Sequence, residues 1–398
     1  MKAPKGWKIR TLEEVAVIQT GLSKSASRTG DFVRLPYLRV ANVQDGHFDL
    51  TEIKEIDVPK ESVDRFRVVV GDLLLTEGGD FDKLGRGAIW KGAITDCVHQ
   101  NHIFVVRSNE CLLDRRFLAI QTQGAHGRAY FQSCSKQSTN LASINSSQLK
   151  QFPVLLPPLP EQQQIANIFG TWDEALEKLD ALIAAKDRRK QALMHQLLTG
   201  KRRLSGFHKS WVRSKLGYLF TNRTESNRLD LSLLSITADQ GVVRRDSLVK
   251  RDTSSEDKTK YLRIAPGDIG YNTMRMWQGV SALSSLEGMV SPAYTICTPT
   301  KRIIGCFAAH FFKLPHTISL FHRHSQGLVD DTLNLKYHHF ATIEVIVPED
   351  TDEQATIAAV LDAADAELRL LRQQRTAIDT QKRGLMQKLL TGKVRVVV

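Results

Sequence analysis

The chain has 398 residues, a length that suggests two or three domains, and its 42% hydrophobic and 25% charged content is ordinary for a globular protein. Lys and Arg exceed Asp and Glu by 12, and the excess is spread along the chain, as at Arg28, Arg34 and Arg39 and again at Arg244, Arg245, Lys250 and Arg251. This points to a folded basic surface and a polyanionic partner rather than a disordered basic arm. Five scattered cysteines without a C-x-x-C pair argue against a disulfide framework or a zinc site, and no signal peptide or apolar run near 18 residues is present, so a soluble, cytoplasmic protein is expected.

Residues 1–156 read as a β-rich domain. VVVGDLLLT (68–76) and NHIFVVR (101–107) are short apolar runs bounded by Gly, Asp and Asn, and glycines 78, 79, 85 and 87 mark a loop between strands. One helix is expected near 114–123. The stretch LLPPLPEQQQ (155–164) then opens a long helix, with proline tolerated in the first turn and Glu161 favouring the N-terminal dipole. Within 157–204, apolar or long-stemmed residues recur in alternating steps of three and four at 165, 168, 172, 176, 179, 183, 186, 190, 193 and 197. That is a coiled-coil seam, closed by Gly200.

Residues 205–347 resemble the first domain in texture. GDIGY (267–271) echoes GDLLL (71–75), and Trp211 occupies its segment as Trp7 does the first. Residues 348–398 hold a second helix and tail, with its seam at 357, 360, 364, 368, 371, 375, 378, 382, 385 and 389 and a stop at Gly392. Residues 161–201 and 353–393 align without a gap at an offset of 192, with 17 identities in 41 positions. The chain is therefore a duplication, and two copies fit a pseudo-two-fold object rather than a solenoid. The repeated helices kept their sequence while the domains between them diverged.

Two exposed apolar stripes bury each other, and the intervening domain lets the second helix return along the first. An antiparallel pair is expected, with facing residue numbers summing to 554: Ile183 against Leu371, Leu176 against Ile378, Leu179 near Arg375. Trp172 is expected to meet Lys382, with the ammonium against the ring. The seam is thus Ile165, Trp172, Leu176, Leu179, Ile183, Ile357, Leu368, Leu371 and Ile378. The fold class is α+β: two β-rich domains separated by two long antiparallel coiled-coil helices, in a nearly circular arrangement.

With these marks in place, the chain resembles the DNA specificity subunit of type I restriction–modification systems over essentially its whole length. PPLPEQ (157–162) and DEQ (352–354) precede the helices and LLTGK follows both; LLLTEGGDFDKLGRG (73–87), HQNHIFVVR (99–107) and QSTNLASIN (137–145) look like one class of target-recognition domain; YNTMRMWQG (271–279) with GMVSPAY (288–294) looks like a second class. The entry VPEDTDEQ departs from the pattern, with one proline instead of three, which puts the rigidity of the second entry in doubt. The resemblance implies a non-catalytic subunit that binds double-stranded DNA at a split target and docks two adenine-modifying methyltransferase subunits along its helices. Two restriction subunits could join. No cofactor is expected on this chain; S-adenosylmethionine, ATP and Mg are expected on the partners. A methylation-only system, or a basic assembly scaffold without sequence readout, are the alternative readings.

Base reading needs forked or amide side chains, and phosphate contact needs cations. The candidates in the first domain are Arg39, Asn42, Lys83, Arg86, Gln100, Asn101, His102, Lys136, Gln137 and Asn140. Those in the second are Asn272, Arg275, Trp277 and Gln278, with Arg244, Arg245, Lys258 and Lys260 for phosphates. The alternative for any one of them is a turn or strand-cap role. Met274 and Met276 read as core, and the pairs His322/His324 and His338/His339 read as surface or DNA-facing rather than metal-binding. Enzyme signatures fail: Pro157-Pro158 does not match a methyltransferase tetrapeptide, GGDFDKLGRG lacks the G-K-[ST] ending of a phosphate loop, and the triplets Glu52–Lys54 and Glu256–Lys258 have no acidic strand partner.

Overall fold

The computed structural model describes residues 3–23, 31–79, 81, 84–137, 142–238, 240–248, 257–329 and 332–396, with the side chains of Lys136 and Gln137 left out. The chain divides into two compact units. One comprises Met1–Leu179 with Gln374–Val398, the other Asp180–Gln373. Each long helix, Leu159–Leu198 and Thr351–Leu390, therefore gives half its length to each unit.

The first unit is built on a four-stranded antiparallel sheet in which Leu73–Thr76 lies between Ile103–Ser108 and Gly87–Ile89, with Ala16–Thr20 on the far edge. Strand Lys8–Thr11 pairs with Pro153–Leu156 and closes the domain where the chain enters the first long helix. Helix Arg115–Gln123 forms where expected, its first N–H groups capped by the Asp114 carboxylate. Leu73, Leu75, Phe104, Phe117, Phe131 and Phe152 make the core. They pack with Ile165 and Phe169 of the first long helix and Leu389 and Leu390 of the second.

The second unit repeats this plan. Ile269–Asn272 lies between Tyr294–Pro299 and Ser281–Leu283, with Phe220–Asn222 at the edge, and Trp211–Lys215 pairs with Glu344–Pro348. Ile269, Tyr271, Phe307, Phe312, Phe321 and Phe340 pack with Met194, Leu197, Leu198, Ile357 and Leu361 from the two helices. The weak GDLLL/GDIGY echo marks one structural device. Gly71 and Gly267 sit at φ +98° and +91°, where a side chain is strained, and each hands the chain to a buried aspartate. Asp72 accepts the Val69 N–H and is forked by Arg107; Asp268 accepts the Ala265 N–H and is forked by Arg223. Arg107 lies within strand Ile103–Ser108 whereas Arg223 follows the edge strand Phe220–Asn222, which is why sequence comparison misses the match.

Within each unit the helices run antiparallel. Ion pairs joining them include Asp173–Lys382 in the first unit and Lys186–Glu367 and Lys190–Asp365 in the second, with residue numbers summing to 555, 553 and 555, and a longer Asp187–Arg372 contact at 3.6 Å. Two of these are the same contact in both copies, since Asp173 and Lys190 lie 192 residues before Asp365 and Lys382. Ile165, Leu176, Leu179, Ile357 and Leu368 are buried, while Trp172, Ile183, Leu371 and Ile378 are half-buried. One expected contact is corrected: Lys382 gives its ammonium to the Asp173 carboxylate rather than to the Trp172 ring, because a full negative charge outcompetes an aromatic quadrupole where both are in reach.

Each end of the repeat is held twice. Glu161, 3% exposed, takes a two-pronged contact from Arg395, at 2.5 and 2.7 Å; Glu353, 0% exposed, takes one from Arg203, at 2.9 and 2.6 Å. A tryptophan backs each pair: Trp7 lies under Arg395, and the Trp211 indole N–H donates to Glu353. Next in sequence, Gln162 accepts the Asp114 N–H and donates to the Leu112 and Pro157 carbonyls; Gln354 accepts the Ile304 N–H and donates to the Arg302 and Pro348 carbonyls. The proline-poor second entry is therefore clamped by the same amide as the first. The helices stop at Gly200 and Gly392, at φ +70° and +66°.

A buried carboxylate left without its guanidinium is strongly destabilising. Glu161→Arg or Arg395→Glu alone is expected to lower the unfolding midpoint, by on the order of several degrees. The double reversal should recover at least half of that loss in thermal denaturation, and Glu353 with Arg203 should behave alike.

Candidate nucleic-acid interface

In the first domain, three of the segments singled out in the sequence meet at one residue, Glu77, immediately after the central strand Leu73–Thr76. Its N–H donates to the His102 carbonyl at 3.0 Å, and its carbonyl accepts the Ile144 N–H at 2.9 Å. Gly78–Gly79 then pairs with Ala142–Ser143, which pairs with Lys136–Gln137 in a small antiparallel sheet. The glycine loop, the 100–102 cluster and the domain exit are thus one surface. Gly78 suits this closeness, because a Cβ there would stand 3.2 Å from the Ala142 carbonyl oxygen, a tight approach.

The second domain uses the same frame. Thr273 follows the central strand Ile269–Asn272; its N–H donates to the Ala293 carbonyl at 3.0 Å, and its carbonyl accepts the Leu335 N–H at 2.8 Å. YNTMRMWQG, GMVSPAY and the segment near 326–335 therefore converge as their counterparts do. Gln326 and Asn334 exchange backbone hydrogen bonds, in the place of the Gln137–Ala142 ladder.

The candidate side chains separate into groups. In the first domain, Asn101 is half-buried and His102 exposed, and the His102 ring meets the Glu77 carboxylate. Gln100 accepts the Val40 N–H through its side-chain oxygen, at 3.3 Å. Arg86 reaches the Val40 carbonyl at 3.4 Å and lines a hollow of about 380 Å³ with Gln44, His47, Gln123 and Arg128. Lys136 and Gln137 lie on the small sheet by their backbone. Lys83 and Asn140, like Arg28, Lys250, Arg251 and Glu256, lie outside the described residues.

Two assignments in this domain are corrected. Asn42 is buried, its oxygen taking the Arg39 N–H and its amide donating to the Asp49 and Glu52 carbonyls, so it ties the 39–52 loop and has no face for a base. Arg39, 22% exposed, braces the same loop through the Glu52 carbonyl and carboxylate. Both are strand-end signals in sequence, and a loop tie uses the same residue types as a base reader.

In the second domain, Arg275 and Gln278 are exposed on a tight turn around Met276–Gln278. Asn272 caps that turn through the Met274 N–H, at 3.0 Å. Trp277 is half-buried, its indole donating to the Met274 carbonyl and its ring edge-on to His322 at 5.8 Å. Met276 is core, but Met274 is 51% exposed, against expectation: the turn that buries one methionine throws the other outward. Arg244 ends a strand and is exposed, Arg245 and Lys258 are half-buried, and Lys260 is exposed. Among the described residues no group of three metal-ligating side chains gathers, and no helix is long and apolar enough to cross a membrane.

The duplicated frame carrying unlike side chains sits beside a direct family match. Residues 4–186 match the model described as the type I restriction modification DNA specificity domain. Over that stretch the chain is similar to the DNA specificity domain of type I restriction–modification systems. A putative type I restriction enzyme specificity subunit, MjaX, of Methanocaldococcus jannaschii is 24% identical over 416 residues, spanning 99% of this chain and 95% of that one. The EcoKI specificity subunit of Escherichia coli K12 is 23% identical over 193 residues, 46% of this chain and 40% of that one. Among solved structures, the S subunit from M. genitalium superposes with a TM-score of 0.58 at 14% identity over 98% of both chains. A chain from a type I R-M system, solved to explain complex assembly and conformational transition, gives 0.61 at 15% identity, covering 99% of this chain and all of that one. These likenesses extend the fold to the full length.

One buried residue beside the interface escaped the sequence reading. His99 precedes the 100–102 cluster, is 0% exposed, and binds the Ile103 carbonyl through Nδ1; among the described residues Nε2 has no partner. Burial holds its pKa down to about 4, below the roughly 6.5 of an exposed histidine. The folded state therefore excludes a proton that the unfolded chain accepts. This stability is present above pH 6.5 and is lost as pH falls towards 4, about 3 kcal/mol over the window. Urea unfolding of wild type and His99→Gln between pH 7 and 4 is expected to show a shallower pH slope in the variant.

Proposed function

We propose that this chain is a type I specificity subunit that reads a bipartite DNA target, one half with each domain, and directs adenine methylation and restriction by partner subunits. The observation that supports it is the shared frame: the residue after each central strand is locked by equivalent hydrogen bonds, and the loops leaving it present different polar side chains. A common backbone with unlike surfaces is what two readers of unlike half-sites need. The net charge of +12 suits the phosphate contacts that carry most non-specific affinity. Exposed Arg244 and Lys260, with Arg245 and Lys258, take that role in the second domain, while Arg275 and Gln278 are placed for base edges. Asn101, His102 and Arg86 are the corresponding groups in the first.

In this reading the subunit has no catalytic centre of its own. Two modification subunits dock along the helices and bring S-adenosylmethionine, and restriction subunits supply the ATP- and Mg-dependent steps. The domains, at 1–156 and 205–347, act as exchangeable modules, and the helices at 157–204 and 348–398 are the ruler between them. Each helix has 40 residues, about 60 Å at 1.5 Å per residue.

Two experiments test this. Exchanging residues 1–150 for another domain of the same class, with the modification subunits co-expressed, is expected to change one half of the methylated motif and leave the other. Methylation altered in neither half, or lost as sequence-specific activity, contradicts the modular reading. Inserting one seam-preserving heptad into each helix adds about 10.5 Å of rise. It should lengthen the unread gap by about 3 base pairs at 3.4 Å each; an unchanged gap would show that the helices do not set the spacing.

A further inference from the structure

The two frames differ at their central residue. Thr273 offers a hydroxyl, which can donate or accept and lies 3.3 Å from the Thr295 hydroxyl. Glu77 offers a carboxylate, 29% exposed, on a backbone fixed at both its N–H and its carbonyl. One carboxylate oxygen meets His102 Nδ1 at 2.5 Å, and His102 Nε2 lies 3.5 Å from the Asn101 amide nitrogen. The chemistry assigns the protons. A carboxylate accepts, so Nδ1 carries the hydrogen; Nε2 is then the acceptor towards which the Asn101 amide donates. The ring, held at both edges, fixes the direction of the carboxylate.

A fixed acceptor that cannot donate is a selective reader of DNA. It repels phosphates, and it repels N7 of either purine, O6 of guanine and O4 of thymine, all of which are acceptors. The donors in the major groove are the exocyclic amino groups, N4 of cytosine and N6 of adenine. We infer that Glu77 is a specificity-determining residue of the first half-site, accepting a hydrogen bond from an exocyclic amino group of cytosine or adenine, with His102 as its positioning residue. This deepens the DNA-reading function proposed above and rests on it. The threonine at the equivalent place imposes no such requirement, so the second half-site is the internal control.

The test uses the subunit co-expressed with its modification subunits. The methylated motif of the wild type is read first. Binding is then measured on duplexes in which each first-half cytosine is replaced in turn by 2-pyrimidinone, and each adenine other than the methylated one by purine; both analogues lack the amino group. In the wild type one replacement is expected to weaken binding by roughly 5- to 150-fold, and whether it is a cytosine or an adenine identifies the base. Glu77→Met, which keeps the side-chain length but removes the acceptor, should lose discrimination at that position alone and show little further loss with the analogue. His102→Phe should weaken discrimination at the same base and no other. If every replacement is tolerated by the wild type, the inference is overturned without any variant having to fold. An unchanged motif in Glu77→Met overturns it as well. A wild-type complex with no bipartite motif would sink the underlying reading, whereas a clear motif indifferent to these changes would sink only the role of Glu77.

Discussion

The structure depends on a carboxylate that cannot be buried alone. Glu161 and Glu353 lie at the first turn of the two long helices, where the helix dipole favours a negative charge, yet each is almost wholly removed from water. A carboxylate in that position needs a fixed partner, and a guanidinium is the group that satisfies both oxygens at once. Each glutamate finds it just beyond the end of the other helix, at Arg395 and Arg203. The pairing is reciprocal between the copies, as in a symmetric dimer interface where one patch meets its own equivalent. These latches lie in the part of the chain where 17 of 41 positions match, while the β-rich parts have lost their visible likeness.

The same logic extends inwards. Gln162 and Gln354 each satisfy one backbone N–H and two carbonyls where strand gives way to helix, so the junction is set by an amide rather than by prolines. The pairs Asp173–Lys382 and Asp365–Lys190 then fix the register along the seam. A seam of leucines alone tolerates slippage by a heptad; charged pairs at matched places do not, because a slip leaves each charge beside the wrong residue.

Much of this was legible in the sequence, for physical reasons that differ by element. The helices were readable because a seam has a period, and duplication doubled the signal; the antiparallel register followed from geometry alone. The shared domain plan was faint, because what survived is a backbone pattern. Asp72 and Asp268 do the same work with guanidinium groups from different segments, and Glu77 and Thr273 occupy one place with unrelated side chains. Asn42 and Arg39 were misread because an asparagine or arginine at a strand end looks alike whether it ties a loop or faces a base; only the partners distinguish them. His99 was invisible for the opposite reason, since a buried histidine leaves no spacing pattern around it.

In the proposed reading, these differences bear on how a target could change. The frame residue is held by its own backbone, so its side chain is free to vary without disturbing the strand that carries it. Exchanging a glutamate for a threonine there alters what the loop can accept or donate, while the hydrogen bonds to 102 or 293 and from 144 or 335 remain. Substitution in the glutamate–arginine latch has no such freedom, because each buried carboxylate depends on its own guanidinium. Recognition and assembly are thus carried by residues under different physical restraint, and a single substitution can reach the first without passing through the second.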